Sequence, residues 1–154
     1  MTWFGARPEW KLPFQRDARR YYGDAVTGEL KQGCLLYRHQ GLDVPGRPDP
    51  VPVLVRFFAE PKYDTFGLAP WDSPRVFADQ GLPSPHRMPD DSLCLFYPAD
   101  PPERRWTADD GLLQLLQLVG DHLYFETYWR HTGGHLGGTW LAPEAPHGYQ
   151  GRSR

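Results

Sequence analysis

Proline and glycine set the strongest limit on what this chain can fold into. Seventeen prolines and sixteen glycines make up about a fifth of its 154 residues, so long loops must separate short elements. Pro8 and Pro13 are expected to prevent a long helix near the start, leaving room for a helical turn over residues 16–22. Four prolines between residues 41 and 52 mark a loop, residues 61–74 a second, residues 81–91 a third and residues 98–105 a fourth.

Between these breaks the apolar pattern selects a few elements. Residues 30–39 read as a strand. Val51–Phe58 is the clearest one: Val51, Val53, Val55 and Phe57 share one face, and Leu54, Arg56 and Phe58 the other. Pro52 near its start marks either an edge or a strand entry. Residues 75–78 form a short strand, and Leu93 to Tyr97 an apolar, strand-like segment closed by Pro98. One long helix is expected from an N-cap at Thr107 to about Arg130. Asp109 and Asp110 lie in its first turn, and Leu112, Leu115, Leu116, Val119, Leu123 and Tyr124 form its apolar stripe. Gly120 is a soft point within it, and four glycines in residues 132–138 end it. Strands followed by a helix predict the α+β class, an antiparallel sheet covered on one face. The whole chain, 1–154, reads as one domain with a loop-rich N-terminal segment and a tail from about residue 141.

The charge balance narrows the partners. A net charge of −2 and a pI near 6.3 argue against a nucleic-acid binder, whose phosphate contacts need a basic surface. No apolar run approaches the roughly 20 residues that span a bilayer, and the N-terminus lacks a signal-peptide core, so no membrane partner is expected. Two cysteines, Cys34 and Cys94, are too few for a disulfide scaffold and point to a reducing cytoplasm. No metal is expected: His131 and His135 are separated by glycines, and the cysteines lack zinc-knuckle spacing. There is no phosphate-cradling glycine loop and no Gly-x-Ser-x-Gly elbow.

Chemistry concentrates between Pro85 and Trp106. A cysteine between two leucines is ordinarily core. Here Cys94 lies in a short strand-like segment flanked by Pro-rich irregular chain, with His86 upstream, the acidic pair Asp90 and Asp91 just before it, and Trp106 opening the next helix. This order resembles the catalytic region of ubiquitin-conjugating (E2) enzymes. The matching pieces are Pro85-His86, Asp90-Asp91-Ser92, Leu93-Cys94-Leu95 and Trp106-Thr107-Ala108, with Val51–Phe58, Tyr63 and Pro74-Arg75-Val76-Phe77 upstream. The later order His122 to Trp129, Thr132-Gly133, Trp140 and Glu144-Ala145-Pro146-His147 is similar to the bacterial E2-like proteins of type II anti-phage signalling systems (CBASS). The similarity spans about residues 30–129.

The resemblance implies a UBC-like fold, an antiparallel meander flanked by helices. It implies that Cys94 carries a ubiquitin-like C-terminus as a thioester and transfers it to an acceptor amine. Implied partners are an E1-like activating protein, a ubiquitin-like protein or the C-terminus of a nucleotide-cyclising enzyme, and an acceptor lysine. ATP would be used by the separate activating protein, and this chain would need no cofactor. His86 would hold the active-site loop or act as a base. Asp90 and Asp91 would orient an incoming lysine or simply form a polar turn. Trp106 would pack under the loop, and His147 would support the site. Cys34 reads as core. Arg87 and Met88 follow His86 where the family pattern continues to Asn, so the oxyanion donor must be a backbone N–H or another side chain. Only Lys11, Lys31 and Lys62 are present, none near Cys94 in sequence, so self-modification is expected to be slow. Two rivals remain open: a catalytically silent binding module of the same fold, and a cysteine hydrolase that would need a base beside the thiol.

Overall fold

The computed structural model describes residues 2–141. Helix α1 spans Pro8–Tyr22 and is followed by β1 (Val26–Lys31), β2 (Cys34–Leu42), β3 (Val51–Phe58) and β4 (Arg75–Phe77). A long irregular segment then leads to α2, Gly111–His131. The strands form one antiparallel sheet in the order β1-β2-β3-β4, an α+β architecture with two helices.

The N-terminal helix is longer than its prolines suggest, and this corrects the expectation of a turn at residues 16–22. Pro8 sits in the first turn, where its missing N–H has no intrahelical partner to lose. Pro13 does lie inside the helix, but both it and Glu9, whose carbonyl loses a partner, are exposed. Packing compensates: Trp10 stacks on Phe14 at 4.6 Å, and Phe14 meets Phe57 edge-on at 5.3 Å. Phe14 and the fully buried Ala18 continue this inward face. Arg19 and Arg20 in the last turn favour the helix dipole.

The strand expected at residues 30–39 is instead the middle of a hairpin. Leu30 and Lys31 end β1, Gln32 and Gly33 turn, and Cys34 opens β2 opposite Lys31. Gly33 adopts φ +70°, a conformation that costs a side-chain-bearing residue. Cys34, expected in the core, is only half-buried at this hairpin end. In β3 the alternation is as read: Val51, Val53, Val55 and Phe57 are buried, and Arg56 is exposed. Pro52 lies in the part of β3 that short β4 does not reach, since β4 pairs only with residues Leu54 to Arg56.

The second helix begins later than Thr107. Asp110 accepts the Thr107 N–H at 2.9 Å and closes a single 3-10 turn, Ala108–Asp110. Gly111 at φ +84° then redirects the chain into α2. Leu112, Leu115, Leu116, Val119 and Leu123 are buried in a cluster with Phe14, Tyr37, Val55 and Phe57. Each such leucine contributes roughly 2–5 kcal/mol against truncation to alanine. No helix among the described residues is long and apolar enough to cross a membrane.

Candidate active site

The segment between β4 and α2 is held by its own side chains. Arg87 and Leu93 form an isolated antiparallel bridge, and Leu93 N–H donates to the Val76 carbonyl of β4 at 2.9 Å. The turn between them is closed by Asp90, whose Oδ1 accepts the Ser92 N–H at 2.9 Å and the Ser92 hydroxyl at 2.6 Å. Asp91 adopts φ +68° and accepts the Gly81 N–H at 2.6 Å. Both carboxylates, of Asp90 and Asp91, therefore brace this turn.

Cys94 follows directly. It lies in irregular chain and not in a strand, contrary to the strand-like reading of residues 93–97. Its N–H donates to the His86 carbonyl at 3.3 Å. It is one of the residues lining a cavity of about 40 Å³, together with Arg75, Leu115 and, from the loop after β3, Asp64, Thr65 and Phe66. Cys94 is 2% exposed, and burial pushes its thiol up to about 12; Arg75 and then Arg87 pull it down, while Glu126 and Asp90 push it up.

His86 reaches Cys94 through its backbone. No imidazole among the described residues hydrogen-bonds the Cys94 sulfur, and the His86 ring packs against Trp140 at 4.3 Å. Trp106 is buried, donates Nε1–H to the Gly111 carbonyl at 3.0 Å, and lies 6.2 Å from the Phe96 ring. It thus fixes the start of α2 against the chain just after Cys94. His147 and Glu144 lie outside the described residues. Among the described residues no group of three or more metal-ligating side chains converges; His135 instead meets the Trp129 ring at 4.9 Å.

The sequence reading missed a buried charge cluster beside this segment. Arg87 donates Nε–H and Nη2–H to the two Glu126 oxygens at 2.8 and 2.7 Å. A further N–H reaches the Asp91 carbonyl at 3.1 Å. His122 Nε2 lies 3.0 Å from Glu126 Oε2. Glu126 is fully buried; burial alone would raise its carboxyl, but the hydrogen bonds from His122 and Arg87 outweigh that and hold it at about 2. Arg130 lies 3.7 Å from both Glu126 and Asp79, and Asp79 also accepts from Arg47 at 3.1 Å. The missed signal was a glutamate on the leucine face of α2, because a buried carboxylate demands a buried cation.

Comparison of the chain with known protein families, curated proteins and solved structures finds no match.

Proposed function

We propose that the chain is an E2-like conjugating enzyme with a UBC-like fold, acting in the cytoplasm, and that Cys94 is its acyl carrier. The observation that carries this reading is the position of Cys94. It lies on irregular chain between β4 and α2, follows an acidic turn, and is one of the residues lining a small cavity. A helix, a four-strand antiparallel meander, a cysteine-bearing loop and a second helix are compatible with the fold that the resemblance implies.

In this reading an activating protein presents a ubiquitin-like C-terminus as a thioester, having used ATP to make it. The Cys94 thiolate attacks the carbonyl carbon, and the donor thiol leaves. An acceptor amine, a lysine on a target protein, then attacks the Cys94 thioester, and the Cys94 sulfur leaves as thiolate. A cavity of about 40 Å³ admits water-sized groups and no peptide end, so loading requires its walls, the loop at Asp64, Thr65 and Phe66 among them, to move apart. Until then burial keeps the thiol protonated and inert. The anti-phage role follows the same resemblance.

The same burial supports a second reading, a binding module that keeps the fold and does no chemistry. The hydrolase reading is weaker, because no described imidazole bonds the sulfur to serve as its base. Co-expression of the chain with its genomic neighbours separates the two survivors. Wild type is expected to give a larger species that thiols remove, and Cys94→Ser one that thiols do not. Neither species, with the partners expressed and folded, would leave the binding module.

A further inference from the structure

Acyl transfer places negative charge on the carbonyl oxygen, and the group that meets this charge is often the largest catalytic contribution. Two arginines act on Cys94, and their surroundings differ. Arg87 spends its N–H groups on Glu126, on the carbonyl and carboxylate of Asp91, and on the Asp79 carbonyl. Arg75 does not. Its side chain is only 12% exposed, and its buried Nε has no hydrogen-bond partner among the described residues. Asp90 Oδ2 lies 3.4 Å from that nitrogen, while Asp90 Oδ1 is committed to Ser92. The guanidinium is held by a ring: its carbon sits 3.9 Å from the centroid of Tyr63, whose hydroxyl donates to the Ser73 carbonyl at 2.6 Å. Arg75 is also the one cation among the described residues lining the cavity that Cys94 borders; Asp64 lines it too, but its Oδ1 is engaged by the Phe66 N–H at 2.8 Å.

Resting on the assignment of Cys94 as acyl carrier, we propose that the Arg75 guanidinium is a catalytic residue that holds the charge of the reacting centre. In loading, the Cys94 thiol gives its proton to solvent and its sulfur forms a bond to the carbonyl carbon of the donor thioester. The carbonyl electron pair moves onto oxygen beside Arg75. Collapse of that oxyanion breaks the donor carbon–sulfur bond, and the released donor thiolate takes a proton from solvent. In discharge, the acceptor amine forms the carbon–nitrogen bond, Cys94 leaves as thiolate facing Arg75, and the amine gives its proton to solvent. The cation thus serves the oxyanion in both steps and the departing thiolate in the second.

The test needs no modifier. In a Cys34→Ser background, Cys94 is alkylated with iodoacetate, an anion, and with iodoacetamide, its neutral counterpart. Opening of the cavity and ionisation of the thiol affect both reagents alike, so the ratio of the two rates reads the positive charge beside the sulfur. Arg75→Gln is expected to lower that ratio about tenfold, the scale of one unit charge at close range, and Arg75→Lys to keep most of it. Arg38→Gln, removing an exposed cation of β2, leaves the ratio unchanged. A ratio in Arg75→Gln within about twofold of the parent would overturn the proposal. So would an equal fall in Arg38→Gln, or a Cys94 that neither reagent modifies. Failure of thioester formation in cells is a separate result, since these rates are read on the chain alone.

Discussion

Arg87 and Arg75 flank the same cysteine, and their side chains are 8% and 12% exposed, yet they are built for different ends. Arg87 is saturated: two contacts to a fully buried glutamate, one to the Asp91 carbonyl, and longer ones at 3.5 Å to the Asp91 carboxylate and the Asp79 carbonyl engage all five of its N–H groups. Arg75 is held by a tyrosine face and an off-geometry carboxylate, so its charge is confined while its donors stay open. The contrast teaches that burial of an arginine does not reveal its task. The fate of its N–H groups does. One arginine fastens the Cys94 segment to α2, and the other faces the cavity where the chemistry would occur.

The comparison breaks first at Glu126. Replacing it by glutamine removes the close countercharge of buried Arg87 and leaves only the longer Asp91 contact at 3.5 Å, and a loss of about 3–5 kcal/mol is expected in denaturant unfolding. Arg75→Gln is expected to cost less than about 1 kcal/mol, because it removes a cation whose buried Nε has no hydrogen-bond partner among the described residues and leaves no buried carboxylate unpaired. Equal losses in the two variants would erase the distinction.

Acid sharpens the same point. Glu126 is held at about 2 in the folded chain, below its ordinary 4.5. Its contribution is therefore fully present above about pH 4.5 and is lost as pH falls through about 2, a change of about 3 kcal/mol. Stability curves of wild type and Glu126→Gln should converge across that window and run parallel above it.

The cavity side predicts reactivity instead of stability. With the thiol near 12, Cys94 alkylation should rise about tenfold per pH unit from 7 to 10 without a plateau. A plateau below pH 9 would mean an ordinary, exposed thiol. The smallest effect is in the cavity-lining loop after β3. Asp64→Ala removes the bond to the Phe66 N–H and should speed both alkylating reagents about fivefold, the equivalent of about 1 kcal/mol, with their ratio unchanged.

The regular half of the fold was largely legible. Strict alternation from Val51 to Phe57 marks β3, because one face is buried and the other is not. The leucine stripe marks α2 for the same reason. Helix α1 was hidden because Pro13 reads as a breaker locally, and only the packing of Trp10 and Phe14 on Phe57 shows why it is tolerated. The β1–β2 hairpin was hidden because Gln32-Gly33 carries a weaker turn signal than an Asn-Gly pair. Within the site, Cys94, His86 and Trp106 stood out by their order along the chain. Arg75 and Tyr63 entered only as parts of the upstream matching pieces and not as site residues, because the stacking of Arg75 on Tyr63 and the place of Arg75 beside Cys94 in the cavity lining depend on the loop that follows β3 and on the pairing of β4, both tertiary facts. That loop also carries Lys62, two residues before Asp64. Although distant from Cys94 in sequence, Lys62 is where any self-modification is expected to fall.

The central claim is that Cys94 carries an acyl group, and intact-protein mass spectrometry tests it most directly. The chain is purified without reductant after co-expression with its genomic neighbours, and measured before and after thiol treatment. The account predicts an added protein mass that thiol removes and that peptide mapping places on Cys94. An unmodified chain in the presence of folded partners, or an adduct that maps to Cys34, would contradict it.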